Sequence, residues 1–158
     1  MTALAFALIA ASGLTGWVAA AHYWIAACGT ALVVIDARVH RLPNVLTLPA
    51  FAGVSVLLAG AAVNGEQGSL LRSIAAAGVL GAVFLLMTFG GVGLGDVKLA
   101  PTLGALLGWH SWTSLFLGTF AMFTLSAMVN LLRGRLRGRV AFGPYMIIGT
   151  LGVSVWAH

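Results

Sequence analysis

Long apolar runs separated by short polar stretches make up almost the whole chain. A membrane-spanning helix needs about 20 apolar residues, with a range of about 17 to 25. On that scale the pattern predicts seven helical segments, at 2–18, 23–37, 45–63, 70–89, 98–109, 112–132 and 141–157. Segments 23–37 and 98–109 are shorter than a usual span, and the second is compatible with a half-spanning or tilted helix. The pattern therefore predicts an all-α, polytopic membrane helix bundle with about six or seven transmembrane helices.

Composition excludes an ordinary soluble domain. Of the 158 residues, 61% are hydrophobic and 7% are charged, whereas soluble domains carry about 25% charged residues. The positive net charge does not indicate nucleic acid as a partner, because four of the eight basic residues lie in one short loop, at Arg133, Arg135, Arg137 and Arg139. The lipid bilayer is the expected surrounding. One compact domain is expected over 1–158, with a core of about 20–158 and an extra N-terminal helix at 2–18.

The basic residues sort onto one side of the predicted bundle. Alternating crossings place the loop at 38–44, the turn before Lys98 and the loop at 133–140 on the same side, whereas Arg72, beside Glu66, lies opposite. Short basic loops are typical of the cytoplasmic face, so the N-terminus is expected inside and the C-terminus outside. All five tryptophans fall at segment ends on the external side, where they are expected to form an interfacial belt: Trp17, Trp24, Trp109, Trp112 and Trp156.

Asp36 and Asp96 are the only aspartates in the chain, and this topology puts both at cytoplasmic ends of helices. A carboxylate at the centre of a membrane helix costs about 2.5 to 3.5 kcal/mol on insertion scales, so an acid near the core is a functional candidate by default. Each also has a structural alternative. Asp96 is a good N-cap for the apolar segment that follows it, and Asp36 is compatible with a hydrated helix end close to Arg38.

The sequence around both aspartates predicts irregular backbone. Four glycines stand in the six residues 90–95, directly before Asp96, and each costs about 1 kcal/mol relative to alanine inside a helix. The helix is expected to break there, and irregular backbone at membrane depth persists only next to protein or water. After Asp36, Pro43 must end any continuing helix, and Asn44 is a good cap for the next one.

Two carboxylates brought close together resist simultaneous ionisation and share a proton. One then acts as a general base on water while the other, protonated, polarises a carbonyl group, which hydrolyses an amide without metal or cofactor. The single cysteine, Cys28, and the scattered histidines form no cluster at ligand spacing, so no metal site is expected. Interfacial polarity accounts for His22 and His110 on the external side, and His40 is expected to be an exposed loop residue.

Three stretches resemble the signatures of the type IV prepilin peptidases, the bacterial branch of the GxGD aspartic peptidases. They are the run DARVHRLPNVLTLP at 36–49, the run GLGDVKL at 93–99 and the tripeptide Phe142-Gly143-Pro144. The resemblance extends from about residue 20 to the C-terminus. It implies removal of the basic leader from pilin-like precursor proteins at the cytoplasmic face of the bacterial inner membrane, with Asp36 and Asp96 as the catalytic pair.

The same resemblance implies supporting residues. Gly93 and Gly95 would shape the loop before Asp96, and the site would be supported by Lys98, Pro43, Asn44, Phe142, Gly143 and Pro144. Many family members also methylate the new N-terminus through an extension bearing paired CxxC zinc motifs. This chain has one cysteine, so it resembles the short, peptidase-only members and methyl transfer is not predicted.

Two other functions stay open at the level of sequence. One is a non-enzymatic membrane transport or assembly subunit, in which the aspartates relay protons or contact a partner. The other is a eukaryotic-style intramembrane protease that shares the GxGD sequence, although the Pro43-Asn44 turn and the short length argue against it. The oligomeric state is not indicated.

Overall fold

The computed structural model describes residues 2–39, 44–90, 92–132 and 143–156, and the side chains of residues 33, 36–39, 44 and 155 lie outside the described part. Over these ranges the chain is helical and contains no strand. The helices are α1 (Thr2–Ala11), α2 (Gly16–Val39), α3 (Asn44–Val63), α4 (Leu70–Met87), α5 (Leu94–His110), α6 (Trp112–Leu132) and α7 (Gly143–Trp156), and a 3-10 turn (Thr88–Gly90) follows α4. The predicted all-α bundle is confirmed.

The first predicted segment, 2–18, is wrong as a single span. Helix α1 ends at Ala11, and at ten residues it is about 15 Å long, half the thickness of a hydrocarbon core of about 30 Å. The Ser12 hydroxyl donates to the Ile9 carbonyl at 2.7 Å, and Gly13 and Gly16 have left-handed φ angles of 78° and 69°. This turn separates α1 from α2, which is 24 residues long and continues through the predicted break at 19–22.

The two ends of the bundle can be distinguished by contacts between sequence-distant residues. At one end, the start of α2 binds the loop after α3, since the Trp17 N–H donates to Glu66 Oε1 at 2.6 Å. At the same end, the start of α4 binds the end of α5, since Arg72 donates to the Trp109 carbonyl at 2.6 Å. We call this the Arg72 end. The opposite end, where α2 and α4 finish and α3, α5 and α7 begin, is called the Asp96 end.

Helix α5 is the centre of the bundle. It packs against α3, α4, α6 and α7, and eleven of its 17 residues are buried, including an unbroken run at 102–109. Helix α4 differs, because its buried residues form one stripe of Ser73, Ala76, Leu80 and Phe84, spaced as one helical face requires. A similar stripe, from Ser114 to Ser126, lies along α6. The outer helices therefore enclose α5.

The remaining faces of the outer helices are apolar and exposed, as expected for a lipid-covered protein. Three helices of the described part are long and apolar enough to cross a membrane, at Val45–Val63, Leu70–Gly90 and Trp112–Leu132. Leu71, Leu86 and Phe116 are each at least 66% exposed. Such faces agree with a helical membrane bundle.

The prediction of an interfacial tryptophan belt holds only in part. Trp17, Trp112 and Trp156 are exposed and lie at the ends of their helices. Trp109 is 1% exposed and donates its indole N–H to the Gln67 carbonyl at 3.0 Å. Trp109 is therefore packed between the core and the loop before α4, and it is part of the interior of the bundle and not of its surface.

Candidate functional site

Asp96 lies in the first turn of α5 at a break in the backbone. Helix α4 stops at Met87, a 3-10 turn covers Thr88–Gly90, and the Val92 N–H donates to the Met87 carbonyl at 3.3 Å. Gly93, with an extended backbone, is the N-cap of α5, and its carbonyl accepts from the Asp96 N–H at 3.1 Å. The predicted break in the glycine-rich segment is therefore confirmed.

The Asp96 carboxyl group is enclosed by protein. Its side chain is 6% exposed, and a Cβ added at Gly93 would lie 3.6 Å from Asp96 Oδ2. The carboxyl group thus lies against the bare backbone of Gly93, where a larger residue would reduce the free space. On the same helix, Leu99, Ala100 and Leu103 are fully buried. This carboxyl group therefore stands between an open glycine backbone and the apolar core.

The capping role that the sequence allowed for Asp96 is wrong. Gly93 is the N-cap, and α5 begins at Leu94, so Asp96 is the third helical residue. A carboxylate in the first turn is favoured by the positive end of the helix dipole, and this partly offsets the cost of burying it. A buried acid in a membrane bundle that is not the helix cap remains a functional candidate.

Asp36 lies on α2 one turn before the helix ends at Val39. Its backbone is thus at the end of α2 remote from the Trp17–Glu66 contact, as Asp96 is at the end of α5 remote from Arg72. The Asp36 side chain lies outside the described part of the chain. The distance between the two carboxyl groups therefore stays a prediction.

The other predicted site residues fall at the same end as far as they are described. Gly95 is half-buried in the first turn of α5, and Lys98 is exposed one turn later. Gly143, buried, and Pro144, half-buried, open α7. Asn44 opens α3, but its side chain lies outside the described part, and so do Pro43 and Phe142 entirely.

Thr47 is a polar residue at this end that the sequence analysis did not single out. It lies one turn into α3 and is 4% exposed, and α3 packs against α5. The sequence feature that could have identified Thr47 is a hydroxyl side chain within an apolar run, inside the stretch 36–49 that resembles a family signature. Within the described residues, no three His, Cys, Asp or Glu side chains are grouped as ligands of a metal ion.

A second concentration of polar groups lies at the Arg72 end. A cavity of about 730 Å³ is lined there by Leu14, Thr15, Glu66, Gln67, Arg72 and His110, among others. From His110 to Asp96 the helix advances about 20 Å, at about 1.5 Å per residue. This cavity is thus separate from the aspartates.

His22 contradicts its predicted interfacial setting. It is fully buried, and its Nδ1 donates to the Val18 carbonyl at 2.8 Å. Its ring lies 5.6 Å, centroid to centroid, from that of His110, which lines the cavity. This pairing has no signature in the sequence, because 88 positions separate the two histidines.

Comparison with known proteins assigns the chain to a family. The model of the type IV leader peptidase family matches residues 23–129, about two thirds of the chain. The chain belongs to this family. The type IV leader peptidase match contains both Asp36 and Asp96, whereas α1 and the tripeptide at 142–144 lie outside it.

Individual curated relatives extend the match beyond the family model. The chain is 33% identical over 160 residues to the prepilin leader peptidase/N-methyltransferase of Burkholderia pseudomallei (strain 1026b), covering 93% of this chain and 49% of the relative. It is 31% identical over 139 residues to that of Escherichia coli (strain K12), covering 79% and 59%. The chain thus spans about half the length of the curated relatives it matches. No solved structure matches it.

Proposed function

We propose that this protein is a membrane aspartic endopeptidase that removes the basic leader from type IV pilin-like precursors. The observation that carries the proposal is the buried carboxyl group of Asp96, 6% exposed, held at a helix break against the Gly93 backbone. Family membership supports it, because the matched residues include this acid and Asp36. The relatives' name, prepilin leader peptidase/N-methyltransferase, supports precursors of pilins as the substrate class.

The proposed chemistry is general acid–base hydrolysis by the two aspartates. One carboxylate takes a proton from a water molecule while the oxygen of that water attacks the scissile carbonyl carbon. The other, protonated, carboxyl group donates to the carbonyl oxygen and stabilises the tetrahedral intermediate. Collapse of the intermediate breaks the C–N bond, and the leaving amine accepts a proton. Water is consumed as OH on the leader and H on the new N-terminus.

The location of the acid suits a substrate whose hydrophobic helix lies in the membrane. Asp96 is at the start of a helix and not at its middle. Its carboxyl group would therefore lie at the same membrane depth as a peptide bond just outside the apolar helix of the substrate. The glycines at 93 and 95 leave room for substrate backbone. Lys98, exposed one turn beyond Gly95, is proposed to support the site at the membrane surface.

We place the protein in the bacterial inner membrane as a multi-pass protein with the site facing the cytoplasm. Three apolar helices support membrane insertion, and the predicted loops at the Asp96 end carry most of the basic residues, as cytoplasmic loops do. The proposal covers the peptidase step alone, because the chain spans about half of each relative whose name includes methyl transfer.

The test is to co-express the protein with a pilin precursor and to measure leader removal by mass spectrometry. Asp36→Asn and Asp96→Asn keep side-chain volume, so folding is expected to survive. General acid–base groups contribute about 10² to 10⁴-fold, and each variant is expected to lose at least that much. Asn64→Ala, at an exposed residue of the Arg72 end, is the control and is expected to cleave normally.

Normal cleavage by both aspartate variants, with the cut at the same bond, would refute the aspartic mechanism. An intact precursor with the unmodified protein, together with an ion flux or an assembly defect that depends on the aspartates, would favour a transport or assembly subunit. Cleavage within the substrate helix, and not ahead of it, would favour an intramembrane protease of the eukaryotic type.

A further inference from the structure

We infer that the cavity at the Arg72 end binds the headgroup of phosphatidylethanolamine, with its ammonium group at Glu66 and its phosphate at Arg72 and His110. The inference does not rest on the proposed peptidase function. It requires only that the bundle lies in a membrane. Opposite charges face this cavity, which lies at the depth of the exposed tryptophans and beside apolar residues.

The two charged residues of the cavity bind helix termini and not each other. Glu66 accepts the backbone N–H groups of Trp17 and Val18 at 2.6 and 3.0 Å, which closes the start of α2. Arg72 donates from Nε to the Gly108 carbonyl at 2.7 Å, and from Nη2 to the last carbonyls of α5 at 2.6 and 2.7 Å. The cavity is therefore lined by a fixed negative group and a fixed positive group, each held in place by backbone.

Both groups keep hydrogen-bonding capacity for a ligand. Each oxygen of the Glu66 carboxylate accepts one backbone N–H bond and has a further lone pair, and Nη1 of Arg72 takes part in none of the three bonds to α5. His110 adds an imidazole to the lining. A primary ammonium group donates three hydrogen bonds, which suits Glu66, and the two N–H bonds of Arg72 Nη1 remain to donate to phosphate oxygens.

The charge balance selects a zwitterion over an anion. Glu66 lies at the positive end of α2 and Arg72 at the negative end of α5, so each formal charge is partly compensated by a helix dipole. One carboxylate and one guanidinium leave no net charge to attract an anionic headgroup. A choline headgroup fits less well, because its quaternary ammonium has no N–H to donate to Glu66.

The depth of the cavity is that of lipid headgroups. Trp17, Trp112 and Trp156 are 43%, 52% and 82% exposed at this end of the bundle, and exposed tryptophans are enriched at membrane interfaces. The volume of about 730 Å³ is within the range of ligand pockets, about 300 to 1,000 Å³. Thr15 and Gln67 line the cavity and are exposed, so it is accessible from outside.

Acyl chains have an apolar path beside the cavity. Leu14 belongs to the lining, and Leu71, next to Arg72, is 79% exposed. Val63, at the end of α3 before the loop that carries Glu66, is 88% exposed. A headgroup in the cavity would thus leave its chains against hydrophobic helix faces. A free phosphorylated amine would gain nothing from these residues.

The experiment is a lipid titration of the purified protein in detergent, followed by native mass spectrometry. Phosphatidylethanolamine, phosphatidylglycerol and phosphatidylcholine with matched acyl chains are compared, together with soluble O-phosphoethanolamine. The unmodified protein is expected to bind one phosphatidylethanolamine at least about tenfold more tightly than the other lipids. Soluble O-phosphoethanolamine is expected to bind far more weakly.

Two tryptophan variants test the position. Thr15→Trp fills the cavity and is expected to weaken phosphatidylethanolamine binding at least about tenfold. Thr113→Trp adds the same bulk at an exposed residue of the same end, outside the lining, and is expected to leave binding unchanged. Glu66→Gln keeps an acceptor for α2 but removes the charge, and is expected to abolish the preference for ethanolamine over choline.

Equal affinity for the three lipids would overturn the inference. So would unchanged binding to Thr15→Trp, or binding of O-phosphoethanolamine as tight as that of the whole lipid. If Glu66→Gln does not give a monodisperse protein in gel filtration, the comparison of Thr15→Trp with Thr113→Trp still decides the matter.

Discussion

The contact between α4 and α5 gives the sharpest test of the structure, through Gly104→Ala. A Cβ at Gly104 would lie 2.7 Å from the Ala76 carbonyl oxygen and 3.0 Å from Leu80 Cβ, whereas ordinary contact begins near 3.4 Å. The helices would have to separate locally by about 0.7 Å. The Ser73 hydroxyl resists this, because it donates across the interface to the Ala105 carbonyl at 2.7 Å. Overpacking of this kind costs about 1 to 3 kcal/mol.

Gly78→Ala is the matched control on the opposite side of α4. Gly78 is exposed and a Cβ there meets nothing within 4 Å, so alanine should stabilise the helix by about 0.5 to 1 kcal/mol. Because both substitutions bring the same gain in helix propensity, the difference between them isolates the clash. Gly81→Ala, whose Cβ would meet the Pro101 ring at 3.0 Å, is expected to fall between the two.

The assay is equilibrium unfolding in mixed detergent micelles with increasing sodium dodecyl sulfate, followed by circular dichroism. Gly104→Ala is expected to unfold with a free energy about 1 to 3 kcal/mol lower than Gly78→Ala. Since α5 carries Asp96, a shifted α5 is also expected to slow leader removal, and misplacement by about 1 Å can cost about 10²-fold. Equal stability of the two variants would refute the close crossing of α4 and α5.

Two further predictions concern the Arg72 end. Arg72→Leu removes three hydrogen bonds to the carbonyls that end α5. Hydrogen bonds to charged groups are worth about 1.5 to 3 kcal/mol each and are not additive, so the free energy of unfolding in the same assay is expected to fall by about 2 to 4 kcal/mol. No loss would contradict the capping role of Arg72. Gly65→Ala tests backbone strain alone: Gly65 has a φ of 71° and open space around it, so a loss of about 1 kcal/mol in unfolding free energy is expected. Gly68→Ala adds a packing clash to backbone strain, since Gly68 also has a positive φ, of 153°. At Gly68 a Cβ would collide with the Trp109 indole, so a larger loss and a shifted tryptophan emission maximum are expected, and an unshifted spectrum would contradict that contact.

The helical class, most helix positions and the break before Asp96 follow from local sequence patterns. Apolar runs of spanning length leave few alternatives to helices, since backbone groups in lipid must be satisfied within the segment. The glycines at 90–95 predicted the end of α4 because their cost accumulates locally. The turn at Ser12–Gly16 also has a local signature, a serine and two glycines in five residues, but it lies inside an apolar run of spanning length, which favours one continuous helix.

Which apolar residues are buried depends on how the helices pack together. In a membrane protein the faces toward lipid and toward the core are both hydrophobic, so hydropathy does not separate them. Helices α4 and α5 are both predominantly apolar in sequence, yet α4 buries one stripe of four residues and α5 buries eleven of its 17. Trp109 and His22 are buried against distant partners, and Glu66 and Arg72 cap the ends of α2 and α5. These partners are 36 to 88 positions apart along the chain. No local sequence pattern indicates such partners, because they come together only in the folded protein.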